Sequence, residues 1–386
     1  MEILGYTEAH LRSAGAYWTA REIAQQPRLW ADLHEGARAA PGADGAFVAR
    51  LLGRTSPRVV LTGAGTSAFV GDCLAPALRR ALRCRADAVA TTDLVTAPES
   101  FLAAGEPLLL VSFARSGNSP ESVAAVDLAE AIAAPAHHLV ITCNGDGALA
   151  VRARSLPSAC VTLLPERAND RSFAMTSSFS SMLLAAALAL GASRAQPGAE
   201  VAHAAGAALA LALPFAQSLA AQRFERIVYL GSAELKGLAS EAALKMLELS
   251  DGRTVATADS VLGFRHGPKT IINNRTLVVV FRSHAPYRRA YERDLLRELR
   301  RDAVAGRVVA VDSSPSADDG GGDTLQLPAV AGTSELDLVF PYALFAQVFA
   351  FLQSLVLGLQ PDVPNAAGTV SRVVQGVSIH PWAPPR

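Results

Sequence analysis

Short apolar runs recur along the chain at a spacing that divides it in two. Arg58-Val59-Val60-Leu61 ends in the turn Thr62-Gly63-Ala64-Gly65 and leads into an Ala/Leu-rich helical stretch. At 168 positions further on, Arg226-Ile227-Val228-Tyr229 ends in Leu230-Gly231-Ser232-Ala233 and again leads into a helical stretch. Leu108-Leu109-Leu110-Val111 matches Leu277-Val278-Val279-Val280, and Leu139-Val140-Ile141 matches Val308-Val309-Ala310, each 169 positions on. Runs that are short, continuous and apolar, each followed by Gly or Ser and then a helix, predict strands buried on both faces of a parallel sheet. The pattern therefore predicts an α/β protein with two doubly wound, flavodoxin-like parallel-sheet domains in tandem, over residues 46–200 and 215–365. An Ala-rich helical joint around Gly198 to Ala221 links them.

Residues 1–45 are expected to form a helical N-terminal extension, with Thr19-Ala20-Arg21-Glu22 as a capping box that opens one of its helices. Asp318-Asp319-Gly320-Gly321-Gly322-Asp323 reads as a flexible surface turn of the second domain. From residue 366 to 386 the chain is a tail with a strand-like run at Val373 to Ile379. Val339 to Leu359 carries no charge over twenty-one residues, long enough to cross a bilayer. Gln347, Gln353, Ser354 and Pro341 interrupt it and no Lys or Arg flanks it, so the expectation is a helix buried on all sides, not a membrane span.

Apolar types make up 50% of the 386 residues and charged types 18%, which excludes a mainly disordered chain. Thirty-five basic residues balance thirty-five acidic ones, so no basic surplus points to nucleic acid. Cys73, Cys84, Cys143 and Cys160 show no CxxC spacing, and the start of the chain has no apolar leader. Reduced thiols in a cytoplasmic protein are expected.

In parallel sheets ligands sit beyond the carboxyl ends of the strands, which directs attention to the turns. Gly63-Ala64-Gly65-Thr66-Ser67-Ala68 fits a dinucleotide fingerprint, but only Asp87 or Asp93 is available to hold a ribose. The second turn, Ser112-Phe113-Ala114-Arg115-Ser116-Gly117-Asn118-Ser119-Pro120, points elsewhere. A phosphate there would meet backbone N–H groups, the Ser116 and Ser119 hydroxyls and the Arg115 fork, joined by Thr66 and Ser67 from the first turn. The alternative is a Ser-rich helix cap. Ala174-Met175-Thr176-Ser177-Ser178 is a third hydroxyl cluster with the same two readings, and Ser283-His284-Ala285-Pro286 in the second repeat lacks the Ser-Gly character.

Glu241, Lys245 and Glu248 fall on one face of the helix after Gly231, either as a solvated ion-pair stripe or as acid–base groups. Gly263-Phe264-Arg265-His266-Gly267-Pro268 adds a histidine on a constrained loop. A carboxylate with a histidine suits aldose–ketose proton transfer, and no residues stand at metal-ligand spacing.

LTGAGTSAF, TTDLVT, SFARSGNSPESVAAV, FAMTSSF, EAALKMLEL, GFRHGPK and GTVSRVVQGVSIHPW together resemble the tandem sugar-isomerase (SIS) family. Within it they resemble the bacterial galactosamine-6-phosphate deaminases, also called tagatose-6-phosphate ketose/aldose isomerases. The resemblance covers nearly the whole chain. It implies phosphate contacts at Ser67, Ser116 and Ser119, with Arg115 and the backbone around Ala114 and Ala174 beside them; Thr66 and Thr176 join these candidates from the hydroxyl clusters read above. It implies Glu248 as the proton-transferring carboxylate, Lys245 one turn earlier, and His266 as the ring-opening group, often lent by a neighbouring subunit. It further implies a small-molecule sugar phosphate as substrate, no cofactor and no metal, with isomerisation without deamination and a non-catalytic SIS sugar-phosphate sensor as the alternatives. The working protein would be a homodimer or higher homo-oligomer with shared active sites. Two positions depart from the family pattern: Gln375 stands where related synthases place a lysine, and Ser371 where closer relatives show Asn.

Overall fold

The computed structural model describes residues 2–40, 42–314, 322–328, 333–373 and 376–383. It contains two five-stranded sheets, every pairing within them parallel. In chain order the first comprises Arg58–Thr62, Ala86–Ala88, Leu108–Ala114, Ala136–Thr142 and Ala159–Leu163. The second comprises Arg226–Gly231, Val255–Ser260, Thr276–Phe281, Arg307–Asp312 and Thr324–Gln326. Both sheets are ordered second, first, third, fourth, fifth, the flavodoxin-like arrangement. Arg58 pairs with Leu108 as Arg226 pairs with Thr276, so the first and third strands keep the same register in both sheets.

The turns repeat at the level of single residues. A Cβ on Gly63 would stand 2.6 Å from the Ser67 backbone, and one on Gly231 would stand 2.2 Å from the Leu235 carbonyl. Such contacts leave only glycine at these positions. Two residues on, each helix opens from a positive-φ residue, Gly65 (φ 55, ψ −127) in the first sheet and Ala233 (φ 52, ψ −115) in the second. Ala233 adopts this backbone in spite of its Cβ, a strain of about 1–3 kcal/mol that the surrounding structure must hold in place.

Contacts divide the chain into two compact units, interleaved in sequence. One takes the described residues of Asp32–Asp170, Ser177–Gly198 and Gly368–Arg386 and holds the first sheet. Its core joins Val60, Leu110 and Val140 of the sheet to Ala125 and Ala129 of the Pro120–Ile132 helix. The other takes those of Met1–Ala31, Arg171–Thr176 and Ala199–Ala367 and holds the second sheet. There Val228, Val278 and Val280 pack on Leu295, Leu296 and Leu299 of the Pro286–Asp302 helix.

The uncharged run forms the helix Val339–Val356, almost wholly buried in the second unit against the Glu234–Leu249 helix. Burial on all sides accounts for its hydropathy. The Gly198–Ala220 helix is longer and nearly as apolar but far less buried.

Two expectations fail. Thr19 and Glu22 do not cap a helix; both lie inside Tyr17–Ala24, whose N-cap is Ala16. Thr19 instead bonds Asp362 through its N–H and its hydroxyl, both at 2.8 Å, while Glu22 accepts from Arg171 N at 2.6 Å and from Ser172. Long-range partners outcompete the local box. The described residues of the run 373–379 form no strand, and residues 374–375, including Gln375, lie outside the described residues. Of the turn 318–323, only Gly322 and Asp323 are described.

Phe349 is fully buried in the Val339–Val356 helix and stacks on Phe345 at 6.1 Å. Phe349→Ala is expected to cost about 3–5 kcal/mol, measured as a lowered denaturant midpoint of the second unit.

Candidate active site

The order of the first sheet reverses between its first and third strands, and Thr62 pairs with Ser112 at their ends. The loops 63–65 and 115–119 therefore leave the sheet side by side, where ligands of open α/β sheets bind. Thr66 and Ser67 lie in the first turn of the Thr66–Leu82 helix, buried, and no side chain caps that helix. The hydroxyls of Thr62, Thr66, Thr91 and Ser112 are buried and lack hydrogen-bond partners among the described residues. Four such groups at one sheet edge form a polar concentration of the kind that marks functional sites. Thr62, Thr91 and Ser112 lie inside the quoted motifs but were not named as contacts, because the sequence does not show which hydroxyls of a motif face the sheet edge.

The second loop is built to expose donors. Gly117 turns at φ 64, the Asn144 side chain donates to the Ser116 carbonyl at 2.9 Å, and Ala148 N donates to the Asn118 side chain at 3.0 Å. Ser119 is the N-cap of the Pro120–Ile132 helix, yet it makes no capping bond; its hydroxyl pairs with that of Ser122 at 2.6 Å. The Ser119 side chain therefore does not cap this helix; Pro120 has no N–H to offer, the Ser119 carbonyl accepts from Ser122 N at 3.1 Å, and the positive end of the helix dipole favours an anion there. Arg115 is buried, and its guanidinium donates to the Arg372 carbonyl at 2.9 Å, so the tail takes part of the fork that a phosphate would use. Arg372 in turn donates to Asn169 at 3.2 Å and to the Asp170 carbonyl.

The dinucleotide reading ends at Asp87. Burial works against its charge, but Arg58 at 2.7 Å and Arg85 at 3.0 Å hold its carboxyl below the usual range, fully engaged as a structural ion pair. Burial, reinforced by the Asp170 carboxylate, pushes the Cys143 thiol well above its ordinary value and removes it as a nucleophile.

Ala174 and Thr176 belong to the second unit, both fully buried. The Ala174 carbonyl accepts from Ser172 Oγ at 3.1 Å, and Glu22 holds that same serine, so their segment is braced from within its own unit.

On the Glu234–Leu249 helix, the i, i+4, i+7 spacing brings Glu241, Lys245 and Glu248 together. Lys245 is fully buried, its ammonium 3.6 Å from Glu241 and hydrogen-bonded to Glu248. Glu241 is buried as well, whereas the Glu248 side chain keeps 23% of its surface exposed. This is not a solvated stripe. It is a buried ammonium flanked by two carboxylates, one sealed and one reachable.

His266 follows the short helix Gly263–Arg265 and precedes Gly267, which turns at φ 119. Arg265 at 2.6 Å and Lys269 pin the loop to Glu298, and Lys269 also meets Asp302 at 2.5 Å. The hydrogen bonds that Lys269 donates to Asp302 and Glu298 raise its pKa above the ordinary value. The His266 ring is exposed, and no hydrogen bond or ion pair between described residues joins it to Glu248.

Two sheets of identical strand order with a Ser-rich first-sheet edge define a tandem SIS protein; the SIS domain family matches residues 54–192. D-galactosamine-6-phosphate deaminase AgaS of Escherichia coli O157:H7 is 46% identical over 381 residues, 98% of each chain. The AgaS of Shewanella sp. (strain ANA-3) is 40% identical over 378 residues, 96% of this chain and 94% of the other. Among solved structures, tagatose-6-phosphate ketose/aldose isomerase from Escherichia coli has TM-score 0.86 and 43% identity, covering 95% of this chain and 96% of that one. The chain belongs to the AgaS family of D-galactosamine-6-phosphate deaminases.

Hydrogen bonds to charged groups are each worth about 1.5–3 kcal/mol. Ser116→Ala and Ser119→Ala are each expected to weaken inorganic phosphate binding about tenfold or more by calorimetry, with the melting temperature unchanged. Lys245→Met strands the buried Glu241 carboxylate and is expected to cost about 3–5 kcal/mol in denaturant unfolding.

Proposed function

We propose that the protein converts galactosamine 6-phosphate to tagatose 6-phosphate and ammonia. The observation that carries this reading is the near-full-length likeness to enzymes named for that deamination, with Glu248 reachable beside a buried Lys245. The phosphate binds the Ser67, Ser116 and Ser119 hydroxyls and the helix N-termini of the first sheet. It lies remote from the reacting carbons, so its binding energy serves to orient them.

His266 opens the sugar ring by moving a proton between the ring oxygen and the C1 hydroxyl. Glu248 takes the C2 proton of the open-chain aldehyde to give an enolamine and returns it to C1, leaving a C2 imine. Water adds to the imine carbon, ammonia leaves, and the ketose remains. Lys245 holds the Glu248 carboxylate in place through the cycle. The exposed His266 ring suits a homo-oligomer in which one copy serves the substrate of another. Four cysteines without CxxC spacing suit the reducing cytoplasm.

Isomerisation without deamination is the second reading, favoured by the name of the similar E. coli structure. A panel of hexosamine and ketohexose 6-phosphates, scored for ammonia and for isomer, separates the two. Glu248→Gln is expected to lower kcat for ammonia release from galactosamine 6-phosphate about 10²–10⁴-fold while the Kd for the sugar phosphate stays within a few-fold. Full activity in that variant would end the assignment.

A further inference from the structure

The second sheet reverses its order at the same place as the first, so its loops after Gly231 and Phe281 correspond to the cradle loops. The residues differ: Glu234 stands at the position of Thr66, and Leu235 at that of Ser67. The Pro286–Asp302 helix opens from Ala285 with no cap from its own side chain. The loop that leads into it nonetheless converges its donors on a carboxylate some fifty residues away. Glu335 Oε1 accepts from His284 N at 2.9 Å and from Ala285 N at 2.8 Å. Its Oε2 accepts from Ser283 Oγ at 2.6 Å and from Arg288 Nη1 at 3.1 Å. Two backbone amides, one hydroxyl and one guanidinium on a single anion are the donor types that a phosphate would find at a cradle.

We propose that Glu335 is the resident ligand of an anion site at the carboxyl edge of the second sheet, one that takes a small external carboxylate when this side chain is withdrawn. The class of ligand follows from the surroundings. Arg288 Nη1 also contacts the buried Glu234 carboxylate at 3.1 Å, so the guanidinium is already shared between two negative charges. A phosphate dianion would add charge beside Glu234, whereas formate or acetate restores the charge and the two-oxygen geometry of Glu335. The site lies where Glu335 leads, through the buried Leu336 and Leu338, into the Val339–Val356 core helix. Filling it from within ties that helix to the sheet edge and leaves phosphate recognition to the first sheet. The inference is independent of the reaction proposed above.

Glu335→Ala tests it by chemical rescue. The variant is expected to melt about 5 °C lower than the unchanged protein. Sodium formate should recover at least half of that loss, and sodium chloride of equal ionic strength should not. Equilibrium dialysis with labelled formate should find one more formate per chain in Glu335→Ala than in the unchanged protein. Glu335→Gln keeps the volume filled and should show neither the recovery nor the extra formate. If Glu335→Ala folds only when formate is present, that outcome supports the site as directly as a recovered melting temperature. The proposal is overturned if formate and chloride act alike, if no extra formate binds, or if Glu335→Ala fails to fold in either salt while Glu335→Gln folds.

Discussion

The reversal of strand order at the carboxyl edge of each sheet is the constraint from which the functional features follow. A parallel sheet buried on both faces leaves its polar business to the loops at its ends, and at the reversal two loops diverge and expose helix N-termini. On the function proposed here, the acceptor in the first sheet is the substrate phosphate, among Ser67, Ser116 and Ser119. In the second sheet Glu335 takes the loop N–H groups of His284 and Ala285. One architecture, used twice, then serves recognition in one lobe and is closed at the equivalent point in the other.

The proposed chemistry rests on a buried charge. Lys245 has no exposed surface and two carboxylates, and desolvating such a triad is unfavourable unless each member is matched. Glu241 supplies the sealed counter-charge, so Lys245 orients Glu248 without depending on it alone for neutrality. The Val339–Val356 helix, the uncharged run that looks at first like a membrane span, packs against the same helix, and Lys245 is fully buried.

Both sheets were legible because strands buried on two faces must read as unbroken apolar runs, and because Gly63 and Gly231 stand where no Cβ fits. The Ser116–Ser119 loop was legible for the same local reason: its residues are contiguous. What long-range partners decide was not. Thr19 and Glu22 fit a capping box, but Asp362 and Ser172, distant in sequence, claim them. The i, i+4 charges at Glu241 and Lys245 match a surface stripe as well as a buried triad, and only the packing of another helix distinguishes the two. Glu335 has no motif at all; its role exists only because a segment fifty residues downstream returns to the second sheet.

The proposed reaction requires a single sugar phosphate to meet the first-sheet cradle at one end and Glu248, of the same or a neighbouring copy, at the other. A crystal structure of the Glu248→Gln protein with galactosamine 6-phosphate measures this directly. The expected result is a phosphate bonded to Ser67, Ser116 and Ser119, with the sugar C2 about 3–3.5 Å from the side chain at position 248 of the same or a neighbouring copy. A phosphate bound elsewhere, or a C2 beyond reach of that side chain in every copy, would contradict it.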